Sequence, residues 1–207
     1  MSQQHTIVLV LRSGKDFSYQ DVELLVKHIN GLWQSQTPPR IVVMYDKASK
    51  EYDLGSHILV PLTNDYPTWW SRMDLYSPEM EKYRPFLYVD LDTVLIQSLE
   101  KVFDLVKDRQ DKYITLEDFY QKGKLATGLA WLPANSQKIE HVWREWKKAG
   151  PGPSRMDYFL RTVITPDLYW QQLTDGVVDF KPRGSKGIMN VPENALLVCF
   201  HGHPRIF

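Results

Sequence analysis

"PFLYVDLDTVL" occupies residues 85–95, and the reading of its two acids decides the fold. Phe86, Leu87, Tyr88 and Val89 run straight into Asp90 and Asp92. An apolar run of this length reads as a buried strand. A carboxylate at the end of such a strand costs desolvation free energy unless something compensates it. Strand ends of open parallel sheets face the ligand crevice. Two acids at i and i+2 there can share a hard divalent cation. The plainer alternative is a turn with a solvated acid, and the spacing alone does not choose between them.

The flanking sequence builds a sheet around this strand. Residues 6–14, "TIVLVLRSG", read as a strand that breaks into a loop. Residues 18–30 place Val22, Leu25, Val26 and Ile29 at helical spacing, with Ser18 as N-cap and Gly31 as the stop. "IVVMYD" (41–46) and "HILVPL" (57–62) are two further strands, and "TWWSRMDLYSPE" (68–79) is a short helical stretch. The strand over 85–95 is followed by a helix over 98–106 with Ser98 at its cap. Apolar strands alternating with helices predict an α/β domain whose mixed, mostly parallel central sheet is covered on both faces.

The second half is less regular. "KYITLEDF" and "LATGLAWLP" read as strands. Residues 135–150 form an amphipathic helix with Ile139, Val142, Trp143 and Trp146 on one face and Gly150 at its end. Residues 156–164 are a second helix, "GVVDFKPRGSKG" (176–187) a strand entering a basic loop, and "ALLVCFHGHPRIF" a strand with a histidine-bearing tail.

Composition narrows the classes. A chain of 207 residues that is 43% hydrophobic and 24% charged buries a real core, and its length fits one domain. Lys plus Arg equals Asp plus Glu at 25 each, so there is no broad basic footprint for nucleic acid. No apolar run is long enough to span a bilayer, and the polar start "MSQQHT" predicts a cytoplasmic protein. The single cysteine, Cys199, lies in "ALLVCF" and reads as a small buried hydrophobe.

Two families set an Asp-x-Asp at a strand end. "DLDTVLIQS" resembles the motif of haloacid-dehalogenase-type phosphatases, in which Asp90 would be the nucleophile. That motif ends the first strand of its fold, whereas three strands precede it here. Asp175 and Asp179 in "DGVVD" could imitate the late acidic pair of that family.

The chain as a whole resembles small bacterial and phage-type GT-A glycosyltransferases, related to the glycogenin-like family 8. The segments that carry the likeness are "RSGKDFS", "VMYD", "WWSRMDLY", "LYVDLDTVL", "LATGLAWL", "RMDYFL", "DFKP" and "VCFHGHPRIF". The resemblance implies a metal-dependent transfer of a sugar from a nucleotide diphosphate, most often UDP, to an acceptor hydroxyl with retention of configuration. Residues 1–95 would be the nucleotide-binding half and 96–207 the acceptor half with a metal-ligand tail.

By that match, Asp90, Asp92 and His201 would ligate Mn²⁺ or Mg²⁺. Ser13, Asp46, Leu91, Thr127, Gly128, Gly202 and Arg205 would line the donor site with Asp90. Arg72 and Lys181 would approach the diphosphate, and Asp157 would serve the sugar. Two positions depart from the pattern: Ala126 stands in place of an Asn, and Tyr158 in place of a Gln. Asp157 reads equally as a helix cap and His203 as a loop histidine. Lys181, Arg183 and Lys186 read also as solvated charge. Of the adjacent Trp69 and Trp70, at most one faces the core, and the other could stack on a base or a sugar.

Overall fold

The computed structural model describes residues 4–13, 16–47, 57–64, 66, 68–152, 154–180 and 191–200. In the first half, β1 (Thr6–Leu11), α1 (Tyr19–Leu32), β2 (Arg40–Tyr45) and β3 (Ile58–Pro61) come first. Two 3-10 helical segments follow, Thr68–Tyr76 and Pro78–Tyr83. Then come β4 (Phe86–Val89), β5 (Thr93–Leu95) and α2 (Glu100–Val106). The second half supplies β6 (Ile114–Glu117), β7 (Leu125–Leu132), α3 (Gln137–Ala149), α4 (Met156–Val163), β8 (Leu168–Tyr169), β9 (Val177–Phe180) and β10 (Leu197–Phe200).

Seven strands form the central sheet in the order β3-β2-β1-β4-β7-β6-β8. The pairs β3–β2, β2–β1, β1–β4 and β6–β8 are parallel, while β7 runs antiparallel to both β4 and β6. A second sheet of three strands has the order β5-β10-β9. The mixed, mostly parallel α/β architecture predicted from the alternating pattern is therefore what the chain adopts.

Both faces of the large sheet are buried, and alternate residues of β4 sort between them. Leu87 and Val89 join a core with α1 and α2, while Phe86 and Tyr88 join a core with Met73, Trp146 and Leu160. Each fully buried aliphatic side chain of this kind contributes about 1.5–3 kcal/mol. Helix α1 begins where Ser18 donates its N–H and hydroxyl to Asp21 at 2.6 and 2.9 Å. Helix α3 ends at Gly150, whose φ of 63° is costly for other residues.

Three expectations change. Helix α1 passes through Gly31 and ends at Leu32, where the Trp33 N–H still reaches the Ile29 carbonyl at 3.1 Å. A glycine mid-turn is tolerated because the last apolar contacts hold the helix. The segment 85–95 is two strands, broken where the Thr93 N–H closes a turn on the Asp90 carbonyl at 3.1 Å. Beyond the turn the chain leaves the large sheet, and β5 pairs with β10. Strand β8, too short to show a period, was not expected.

Candidate active site

The carboxyl ends of β2 and β4 carry two of the acids singled out in the sequence, Asp46 and Asp90, and that of β1 leads into Ser13. Strand β4 pairs with β1 and β7, so Asp90 emerges mid-sheet, and its N–H donates to the Gly128 carbonyl of β7 at 3.0 Å. Two of the expected donor-site residues thereby meet through the backbone.

Among the described residues the Asp90 carboxylate has three hydrogen-bond partners. Arg72 Nη1 donates to Oδ2 at 2.7 Å. The Tyr88 hydroxyl and the Leu91 N–H donate to Oδ1 at 3.1 and 3.2 Å. Tyr88 follows from strand periodicity, since residues 88 and 90 share a face. The sequence reading missed its role and could have found it from that spacing. Burial alone would disfavour charge on Arg72, but Asp90, then Tyr88 and Asp157, override it and hold its pKa above the ordinary value. Burial and the Asp90 charge push the Tyr88 phenol well above its usual range, so it stays a donor at neutral pH.

Arg72 comes from the 3-10 segment Thr68–Tyr76, anchored by Trp70, which stacks on Trp146 at 4.9 Å. Its Nε also lies 3.4 Å from the Trp69 carbonyl. Beside this pair, the Thr127 hydroxyl of β7 donates to Asp157 Oδ1 at 2.6 Å. Asp157 therefore reaches the sheet and is not the cap of α4, which is Arg155. Arg161 of the same helix ties it down by donating to Asp118, Gln121 and the Leu125 carbonyl at 2.6, 3.2 and 2.9 Å.

Ser13 and Asp46 also come together. Asp46 Oδ2 accepts the Ser13 N–H at 2.6 Å and Arg12 Nη1 at 2.8 Å, and the Ser13 hydroxyl reaches Oδ1 at 2.8 Å. Cys199 on β10 is in register with Thr93 of β5 and Asp179 of β9. Burial, then the charges of Asp92, Asp90 and Asp179, push its thiol well above the usual range. It is an inert core residue, as expected. Asp179 is itself buried and accepts the Tyr120 hydroxyl at 2.9 Å. It sits inside a strand rather than at a strand end, which does not suit the late acid of a phosphatase.

Lys181, Arg183, Lys186, His201, Gly202, His203 and Arg205 lie outside the described residues. Among the described residues no group of three His, Cys, Asp or Glu side chains is arranged to hold a metal. Asp90 and Asp92 supply oxygen donors of the kind hard cations take. Strand β10 ends at Phe200, immediately before the expected imidazole ligand.

No known family profile matches the sequence, and no curated protein matches it. Solved structures do. The WbbM bifunctional glycosyltransferase superposes with a TM-score of 0.72 at 11% identity, over 99% of this chain and 47% of that one. Mouse xyloside xylosyltransferase 1 gives 0.58 at 10% identity, covering 97% of each chain. The glycosyltransferase GlyE of Streptococcus pneumoniae gives 0.53 at 12% identity, over 81% of this chain and 45% of that one. The chain thus spans about half the length of two of these and nearly all of the third. At such identities the likeness lies in the fold, and the fold is a GT-A-like one shared with glycosyltransferases.

Proposed function

We propose that this chain is a metal-dependent glycosyltransferase of the kind related to family 8, moving a sugar from a nucleotide-diphosphate donor, UDP-linked by preference, to an acceptor hydroxyl. The observation that carries this reading is the Asp90–Arg72 pair at the exit of a central strand, in a glycosyltransferase fold. Residues 1–95 would take the nucleotide and residues 96–207 the acceptor.

Asp90 and Asp92, with His201 as third ligand, would hold Mn²⁺ or Mg²⁺, and the cation would neutralise charge on the departing diphosphate. In the transfer, the bond from the anomeric carbon to the phosphate oxygen breaks and its electron pair leaves with the diphosphate. The acceptor oxygen bonds to that carbon and passes its proton to the departing diphosphate oxygen, with retention in line with the family resemblance. Arg72 stays cationic beside Asp90 and can turn to the diphosphate, joined there by Lys181 and Arg205. Asp157, oriented by Thr127, faces the sugar. Ser13, Asp46, Leu91, Gly128 and Gly202 complete the donor pocket as backbone and polar lining.

A titration of UDP with and without Mn²⁺, on wild type and Asp92→Ala, tests the reading. Metal-dependent binding that the substitution abolishes is expected. Binding indifferent to both rules out the metal site.

A further inference from the structure

Among the described residues the exposed large rings are Trp69, Tyr120 and Tyr158, and two of them adjoin residues of the candidate site. Trp69 is 39% exposed and Tyr158 48% exposed. Trp69 is fixed outward because its neighbour Trp70 is buried against Trp146. Its own carbonyl touches the guanidinium that holds Asp90. Tyr158 follows Asp157 directly on α4. Arg155 links the two positions through the chain: its guanidinium lies 5.9 Å from the Trp69 ring centroid, and its carbonyl accepts the backbone N–H of Tyr158 at 3.1 Å in the first turn of α4. Arg155 is exposed and makes no ion pair among the described residues. Arg161, 5.1 Å from the Tyr158 ring, has its donors taken by Asp118, Gln121 and Leu125.

We infer that Trp69, Arg155 and Tyr158 form the acceptor subsite and that the acceptor is a saccharide, an inference that rests on the glycosyltransferase reading. A sugar ring has an apolar C–H face and an edge of hydroxyls. An exposed aromatic ring with an exposed guanidinium beside it matches both at once. A lipid chain needs a continuous apolar groove, whereas here charged residues interrupt the rings. The donor's base is an unsuitable occupant, because the Asp46 clasp expected near it lies across β1, about 10 Å from the Asp90 strand end. Trp69 stands instead against Arg155 at the start of α4, and Tyr158 lies on that helix, within residues 96–207.

Saturation-transfer NMR tests this with methyl glycosides of glucose, galactose, N-acetylglucosamine and xylose, beside UDP with Mn²⁺ as a separate probe. Wild type is expected to bind at least one glycoside. Trp69→Ala and Tyr158→Ala should each weaken it about tenfold, and Trp69→Phe should retain most of the affinity. UDP affinity should stay within about twofold in all three, because each substitution alters only a ring and keeps the backbone carbonyl that Arg72 reaches. Failure of every glycoside to bind wild type, or equal binding by Trp69→Ala, overturns the subsite while leaving the UDP result to judge the transferase reading. Loss of UDP affinity in Trp69→Ala assigns the ring to the donor and overturns it. So does Trp69-dependent binding to phosphatidylcholine vesicles carrying a polyprenyl phosphate without any glycoside binding.

Discussion

Two strand-end acids in this molecule look alike in sequence and differ in the fold. Asp46 follows β2 and Asp90 follows β4, and each meets an arginine, Arg12 at 2.8 Å and Arg72 at 2.7 Å. The Asp46 side chain is 2% exposed and also takes both the N–H and the hydroxyl of Ser13. That carboxylate is enclosed by short bonds and closes the loop after β1 onto the sheet. Asp90 and Arg72 keep 18% and 17% exposure, and the other bonds to Asp90 are 3.1 and 3.2 Å. Water reaches the edge of this pair, so a ligand can approach it, although Arg72 relies on Asp90 to offset its burial. A saturated acid holds structure, and a partly open one can exchange its partner for a ligand.

The largest expected effects separate these two acids. Asp46→Ala leaves Arg12 and the Ser13 N–H without their acceptor and should cost about 3 kcal/mol in urea unfolding. Asp90→Asn keeps a side-chain oxygen for Arg72, Tyr88 and the Leu91 N–H and should cost less stability than Asp46→Ala, yet lower donor turnover at least about a hundredfold. Equal stability losses at the two sites would erase the distinction. Next, Arg72→Lys keeps the charge but loses the planar fork, and turnover should fall about tenfold with little change in melting temperature.

A smaller effect concerns a third acid, remote from the cleft. Glu100 at the start of α2 accepts from the Gln34 N–H, the Ser35 N–H and hydroxyl, and the Ser98 hydroxyl. Desolvation raises its pKa, but these bonds outweigh it and bring the carboxyl down to about 2. Because the folded value lies below the unfolded one, its contribution is full above about pH 4.5 and is lost as pH falls toward 2. Glu100→Gln should flatten the acid limb of a stability–pH profile over that window. An unchanged limb would show the clasp to be idle.

Much of the fold was legible because it rests on period. The helical faces at Val22–Ile29 and Ile139–Trp146, the strand cores and the cap at Ser18 are local signals, and each appears as read. The stop at Gly31 was misread because α1 runs two residues further, to Leu32, where tertiary contacts hold its end. The break at Asp90–Asp92 was hidden because both halves are apolar, and only pairing with β10, a hundred residues later, draws β5 away. Within the site, sequence pattern singled out Arg72, Asp90, Thr127 and Asp157, and the fold brings them together. It gave no sign that Arg72 rests on Asp90 or that Asp157 takes the Thr127 hydroxyl, since those contacts span 18 and 30 residues. Which of Trp69 and Trp70 faces outward was likewise undecidable before α3 packed on one of them.

The central claim is that the open acid at the end of β4 belongs to a metal-dependent donor site. Hydrolysis of a UDP-sugar panel, with Mn²⁺ or with EDTA, by wild type and Asp92→Ala tests it without knowledge of the acceptor. At least one UDP-sugar should be cleaved by wild type with Mn²⁺, with cleavage lost both in EDTA and in Asp92→Ala. No cleavage of any donor, or cleavage indifferent to the metal and the substitution, would contradict the account.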